Sequence, residues 1–170
     1  MRCQTKIESE SFANIATFGI PANPKDASQF LFQIVGEIPK DFSSLNWFSD
    51  FLANSFESFD HCLLLVELWE PKNLHLFYRL RQTYLENRTL MEAPGHIFLD
   101  YETADLASFI LIGMVCGWRF RLHPAPCFVR AFIDDGFSFT FETDEESNFD
   151  EIKKTLGEAK IAFKISSHKK

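Results

Sequence analysis

The chain has 170 residues, 46% of them hydrophobic, and a formal charge of −7. That length suits one domain with a sizeable core, and the acidity excludes a nucleic-acid backbone as the main partner, because phosphate binding needs clustered Lys and Arg. The 20 Phe residues predict a thick aromatic core, since each buries a large ring with no polar atom to satisfy.

Residues 1–10 carry a charge every few positions and no apolar run, so they read as a loose start and not as a signal peptide. Ile15 to Ile20 reads as a short strand closed by Pro21. Asp26 to Glu37 reads as a compact apolar block that Asp26 caps as a helix. Asp41 opens a clearer helix: Phe42, Leu45, Phe48, Leu52, Phe56 and Phe59 recur at three- and four-residue steps, Trp47 and Phe51 widen the stripe, and Ser43, Ser49, Asp50 and Glu57 take the other side. Cys62 to Leu68 is a short apolar run between Asp60 and Pro71, the pattern of a buried strand.

A helix follows from Asn73, with Leu74, Phe77, Leu80 and Tyr84 on one side, and a short strand spans His96 to Leu99. Thr103 and Asp105 start a helix that runs to about Cys116 and should be buried all round, because only Ser108 is polar between Leu106 and Cys116. Gly117 suits its left-handed C-terminal residue. The longest uncharged apolar stretch, Leu106 to Trp118, falls short of the roughly 20 residues that span a bilayer. Asn148 caps a last, polar helix to about Lys160, and residues 165–170 should be loose.

The run from Val129 to Thr143 spells a β-hairpin. Val129, Ala131 and Ile133 alternate with Arg130 and Phe132; Asp134-Asp135-Gly136 follows; Phe137, Phe139 and Phe141 then alternate with Ser138, Thr140 and Glu142. A three-residue loop with Gly136 in the left-handed region pairs Ile133 with Phe137, Ala131 with Phe139 and Val129 with Phe141, and leaves one face wholly apolar. A one-residue slip would spoil that face. With Trp118, Phe120 and Leu122 alternating just before, three strands are expected at 118–122, 127–133 and 137–143. The fold class is therefore α+β, one domain over residues 1–170, with helices on the apolar face of an antiparallel sheet.

The opposite face of those strands holds the strongest candidate site. Arg119, Arg121 and Arg130 share it with Phe128 and Phe132, a combination suited to an acidic protein partner, a second copy of the chain or a phosphate. The competing and stronger expectation for the arginines alone is pairing with Glu142 and the Asp144-Glu145-Glu146 loop. Asp100, Glu102 and Asp105 precede the apolar helix, where the helix dipole already favours acids over a metal or acid–base role. Glu67, His75, His96 and Asp100 form an enzyme-like set only if the fold collects them. Cys116, His123 and Cys127 lack a fourth zinc ligand and a standard spacing. Arg79 and Arg81, with Tyr78 and Tyr84, offer a helix face for an anion, against the simpler reading that the arginines reach out to water. No phosphate loop, dinucleotide fingerprint or nucleophile elbow occurs. Cys62 sits in an apolar run, where a thiol acts as a small hydrophobe. The expectation is a small acidic cytoplasmic protein that binds a protein partner or itself, with no catalytic residue, metal, cofactor or membrane contact assigned. An enzyme with the carboxylate–histidine set and a carrier with a Phe-lined cavity are the alternatives.

Overall fold

The computed structural model describes residues 1–16, 32–54, 59–69, 74–125, 129–135 and 137–167. In chain order these form β1 (Arg2–Gln4), α1 (Lys6–Ala16), β2 (Phe32–Glu37), α2 (Phe42–Asn54), β3 (His61–Leu68), α3 (Leu74–Thr83), β4 (Gly95–Leu99), α4 (Thr103–Val115), β5 (Arg119–Ala125), β6 (Val129–Asp134), β7 (Ser138–Thr143), α5 (Glu146–Glu158) and β8 (Phe163–Ser167). All eight strands lie in one antiparallel sheet of order β1-β4-β3-β5-β6-β7-β2-β8. The class is α+β. Among the described residues no helix is long and apolar enough to cross a membrane.

The inner face of the sheet carries Ile34, Leu64, Phe98, Phe120, Leu122, Ile133, Phe139 and Phe141, all buried. Helices α2 to α5 cover it. Rings interlock across the layers: Phe48 meets Phe139 at 4.9 Å, Phe109 meets Phe98 at 5.3 Å, and Phe32 stacks on Phe149 at 4.8 Å. α4 ends as its sequence predicts. Gly117 takes φ +70°, and the Trp118 N–H donates to the Gly113 carbonyl at 2.9 Å. The helix is not buried all round, however: Ser108 and Val115 face solvent. On α2, Ser49 is buried, because its hydroxyl satisfies itself on the Asn46 carbonyl at 2.7 Å, whereas Phe42 is exposed.

The N-terminal segment departs from expectation. Residues 2–4 are an edge strand on β4, and residues 6–16 are a helix. A capping box starts that helix: the Thr5 N–H donates to Glu8 Oε2 at 2.7 Å, and the Glu8 N–H donates to Thr5 Oγ1 at 3.3 Å. Ile15 therefore belongs to a helix and not to a strand, and residues 17–20 lie outside the described residues. Residues 32–37, expected as helix, are strand β2, held between β7 and β8. Two partner ladders override a cap read from one side only. Residues 163–167, partly expected to be loose, form the other edge strand.

The hairpin has a different register. Ile133 stands opposite Phe139, Ala131 opposite Phe141, and Arg130 opposite Glu142. The shift from expectation is two residues. Two residues preserve the side of the sheet each side chain takes, so the apolar face is kept and the pattern alone does not distinguish the registers. Phe137 is moved out of the core into the turn, where it is 74% exposed. Its N–H donates to the Asp134 carbonyl, and Asp135 adopts φ +50°. Gly136 lies outside the described residues.

A candidate binding face on the outer side of the sheet

Strand β5 alternates Phe120 and Leu122, buried inward, with Arg119, Arg121 and His123 on the outer side. Arg130 and Phe132 on β6 and Glu67 on β3 join them, since β5 lies between those strands. The structure thus brings Arg119, Arg121, Arg130 and Phe132 to one face; Phe128 lies outside the described residues.

Each arginine has acidic neighbours. Arg119 Nε donates to Asp134 Oδ1 at 2.6 Å, and a second guanidinium nitrogen lies 3.3 Å from Asp135. Its partners are the hairpin-turn carboxylates, and not the expected 144–146 loop, because Arg119 sits beside the turn. Arg121 Nε lies 2.7 Å from Glu67 Oε1, and its guanidinium sits 5.1 Å over the Phe132 ring. Arg130 faces Glu142 in register and feels both Glu142 and Asp144. Burial pushes the Glu142 carboxyl upward, opposed by the Gln33 amide that donates to it at 3.2 Å and by Arg130. These pairs are partly exposed, so each contributes little to stability. Their arrangement places polar groups of both signs around an apolar ring.

Helix α1 crosses the outer side of β3 and β5. Between it and the sheet lies a cleft of about 660 Å³. Arg121, His123 and Arg130 form the wall on the β5–β6 side, and Leu65, Leu90, Met91 and Pro94 form the wall on the β3–β4 side. Lys6, Glu10 and Ala13 of α1 make the roof, Trp69 lines it from the chain after β3, and Glu67 contributes a carboxylate. A shallower groove of about 430 Å³ runs along Arg119, Phe132 and Thr140. Glu67 and Arg121 line both depressions, so their ion pair stands on the boundary.

His123, which the sequence offers only as a zinc ligand, lies in the cleft because strand alternation puts residue 123 in phase with 119 and 121. It is 6% exposed, and its Nδ1 has no hydrogen-bond partner among the described residues. Burial, with Arg130 and Arg121 adding to it, holds its pKa down at about 3, so the imidazole is neutral at pH 7. The roof was missed because residues 1–10 read as loose, although Thr5-x-x-Glu8 is a helix-start signal.

The other candidates separate. Glu67 is on the outer face, His75 is exposed on α3, His96 is fully buried against Phe77 and Phe109 on the inner side, and Asp100 is exposed. These four do not form one pocket. Glu102 accepts the Leu99 N–H at 2.9 Å and contacts the Met1 amino group, and Asp105 accepts from the Tyr84 hydroxyl, so both carboxylates serve the local fold. Arg81 does not reach water: it is fully buried on α3. Among the described residues no group of three or more His, Cys, Asp or Glu is placed to hold a metal; Cys127 is outside them. Neither family models nor curated proteins nor solved structures yield a match to this chain.

Proposed function

We propose that this chain is a cytoplasmic binding protein whose working surface is the outer face of β3, β5 and β6, and that its partner is an acidic segment of another protein. The observation that carries this reading is the convergence of Arg119, Arg121 and Arg130 around the half-buried Phe132, beside a cleft that α1 leaves unfilled. Aromatic and Arg side chains on an otherwise acidic surface supply anchoring area and charge complementarity together. The Phe-rich interior, by contrast, is committed to ring-on-ring packing.

The test is capture of partners from native lysate with the wild-type chain and with a folded Arg119→Glu/Arg121→Glu/Arg130→Glu variant. A stoichiometric protein held by the first and released by the second supports the reading. A partner retained by both chains overturns the choice of face, and recovery of the chain alone counts against a protein partner.

A further inference from the structure

The cleft under α1 is divided. Strand order puts its cationic wall on the β5–β6 side and its apolar wall on the β3–β4 side. A volume of about 660 Å³ falls within the range of small-molecule sites, which pair an apolar lining with a few convergent polar groups. At the cationic wall, His123 is more than nine-tenths buried and its Nδ1 has no hydrogen-bond partner among the described residues. Two guanidinium groups, Arg121 and Arg130, flank that position.

The charges on the lining also select the ligand. Lys6, Arg121 and Arg130 are set against Glu10 and Glu67, and His123 is neutral. The balance is a single positive charge, which complements a monoanion better than a dianionic phosphate. Leu65, Trp69, Leu90 and Pro94 then leave an apolar bed for the rest of the molecule. We infer that the cleft is a binding site for a small amphipathic carboxylate, its head held by Arg121 and His123 and its apolar body lying toward Leu65 and Trp69. This rests on the reading that the outer face is the working surface, and it names a ligand class for the part that α1 covers.

The experiment is calorimetric titration of the wild-type chain with 4-phenylbutyrate, 4-phenylbutan-1-ol, acetate, inorganic phosphate and a short polyglutamate peptide. 4-Phenylbutyrate should bind and change the fluorescence of Trp69, a change that Trp69→Phe abolishes. The alcohol, acetate and phosphate should each bind at least tenfold more weakly. Arg121→Gln should weaken 4-phenylbutyrate about tenfold or more, and Lys6→Glu, on an exposed roof position that does not endanger folding, should weaken it severalfold. Equal binding of the alcohol overturns the anionic head, and equal binding of acetate or phosphate overturns the apolar body. Failure of 4-phenylbutyrate on the folded wild type overturns the inference outright. If polyglutamate binds in that case and Arg121→Gln weakens it, the wider reading of the face survives; if neither ligand binds, that reading loses support as well.

Discussion

Ser9 Oγ occupies the space that a Cβ on Gly95 would need: the two positions would be 2.0 Å apart. Gly95 begins β4 on the outer side of the sheet, and Ser9 is a fully buried residue of α1 whose hydroxyl donates to the Thr5 carbonyl at 2.8 Å. The missing side chain is what lets the roof helix settle on the sheet. Gly95→Ala should cost about 1–3 kcal/mol as an overpacked contact. Ser9→Ala alone should cost roughly 1 kcal/mol for the lost hydrogen bond. The double variant should be more stable than the sum of the two, because Ser9→Ala removes the clashing oxygen and leaves Ser9 Cβ at 3.1 Å. Urea unfolding of the four chains measures the coupling; strictly additive costs would show that α1 does not dock here.

Two histidines make the fold sensitive to acid. His96 is fully buried and His123 nearly so, and burial holds both pKa values down at about 3 from an ordinary 6.5. Nearby arginines, Arg81 for His96 and Arg130 and Arg121 for His123, push the same way. A folded pKa below the unfolded one means that the unfolded chain binds more protons. The stability contributed by keeping each imidazole neutral is therefore complete above pH 6.5 and is lost as pH falls toward 3. Between pH 6 and pH 5, before most carboxylates titrate, the wild type should lose roughly 2 kcal/mol, about 1.2 kcal/mol for each histidine. His96→Gln should show about half that slope. Unfolding free energies that stay flat over this interval would remove the basis of the prediction.

Arg81 is an expensive residue in its present place. It is 0% exposed, and none of its three guanidinium nitrogens has a hydrogen-bond partner among the described residues. The Tyr78 ring at 5.8 Å offers a weak cation–π contact, and the nearby Glu86 carboxylate is taken by Arg88 at 2.6 Å. A buried charge without close compensation costs several kcal/mol, and apolar replacements of similar volume are often neutral or stabilising by 1–4 kcal/mol. Arg81→Met should accordingly unfold at a denaturant concentration equal to or above that of the wild type, by up to about 2 kcal/mol. A loss of 2 kcal/mol or more would show that the guanidinium has a partner, such as an ordered anion, that earns its burial.

The outer face was legible in the sequence where period two governs. Arg119, Arg121, Arg130 and Phe132 fall on one side because alternation is a local property of any strand. The helices α2 and α4 were also legible locally, α2 from a stripe repeating every three or four residues and α4 from an almost unbroken apolar run that starts behind Thr103 and Asp105. What remained hidden was everything decided by a distant neighbour. The strand at Phe32–Glu37 exists because β7 and β8 flank it, and no local signal announces that. The cleft depends on α1, a short helix whose capping box was visible but whose position over β3 and β5 follows from the gap at Gly95. Arg81 looked like a snorkelling residue because nothing in its own helix reveals that Cys3 of β1, Glu86 and His96 come near it.

The hairpin shows the same limit and gives a direct check. Alternation fixed which face each residue takes, but a register two residues away satisfies it equally well. In the pairing first expected, Phe137 faces Ile133 in the core; in the structure Phe139 takes that place, touching Phe48 at 4.9 Å and Phe141 at 5.5 Å, while Phe137 lies exposed in the turn. The two arrangements assign different costs to Phe137 and the same cost to Phe139, which lies on the apolar face in both. Phe137→Ser should change stability by less than about 0.5 kcal/mol, as an exposed turn substitution does. Phe139→Ala should cost about 3–5 kcal/mol, because it empties a ring-sized space under α2 that the packed layers cannot fill. Thermal and urea unfolding of the two variants decide the matter. A severe loss at Phe137 would return that ring to the core and shift the register of β6 on β7 by two residues, which would also move Arg130 away from Glu142.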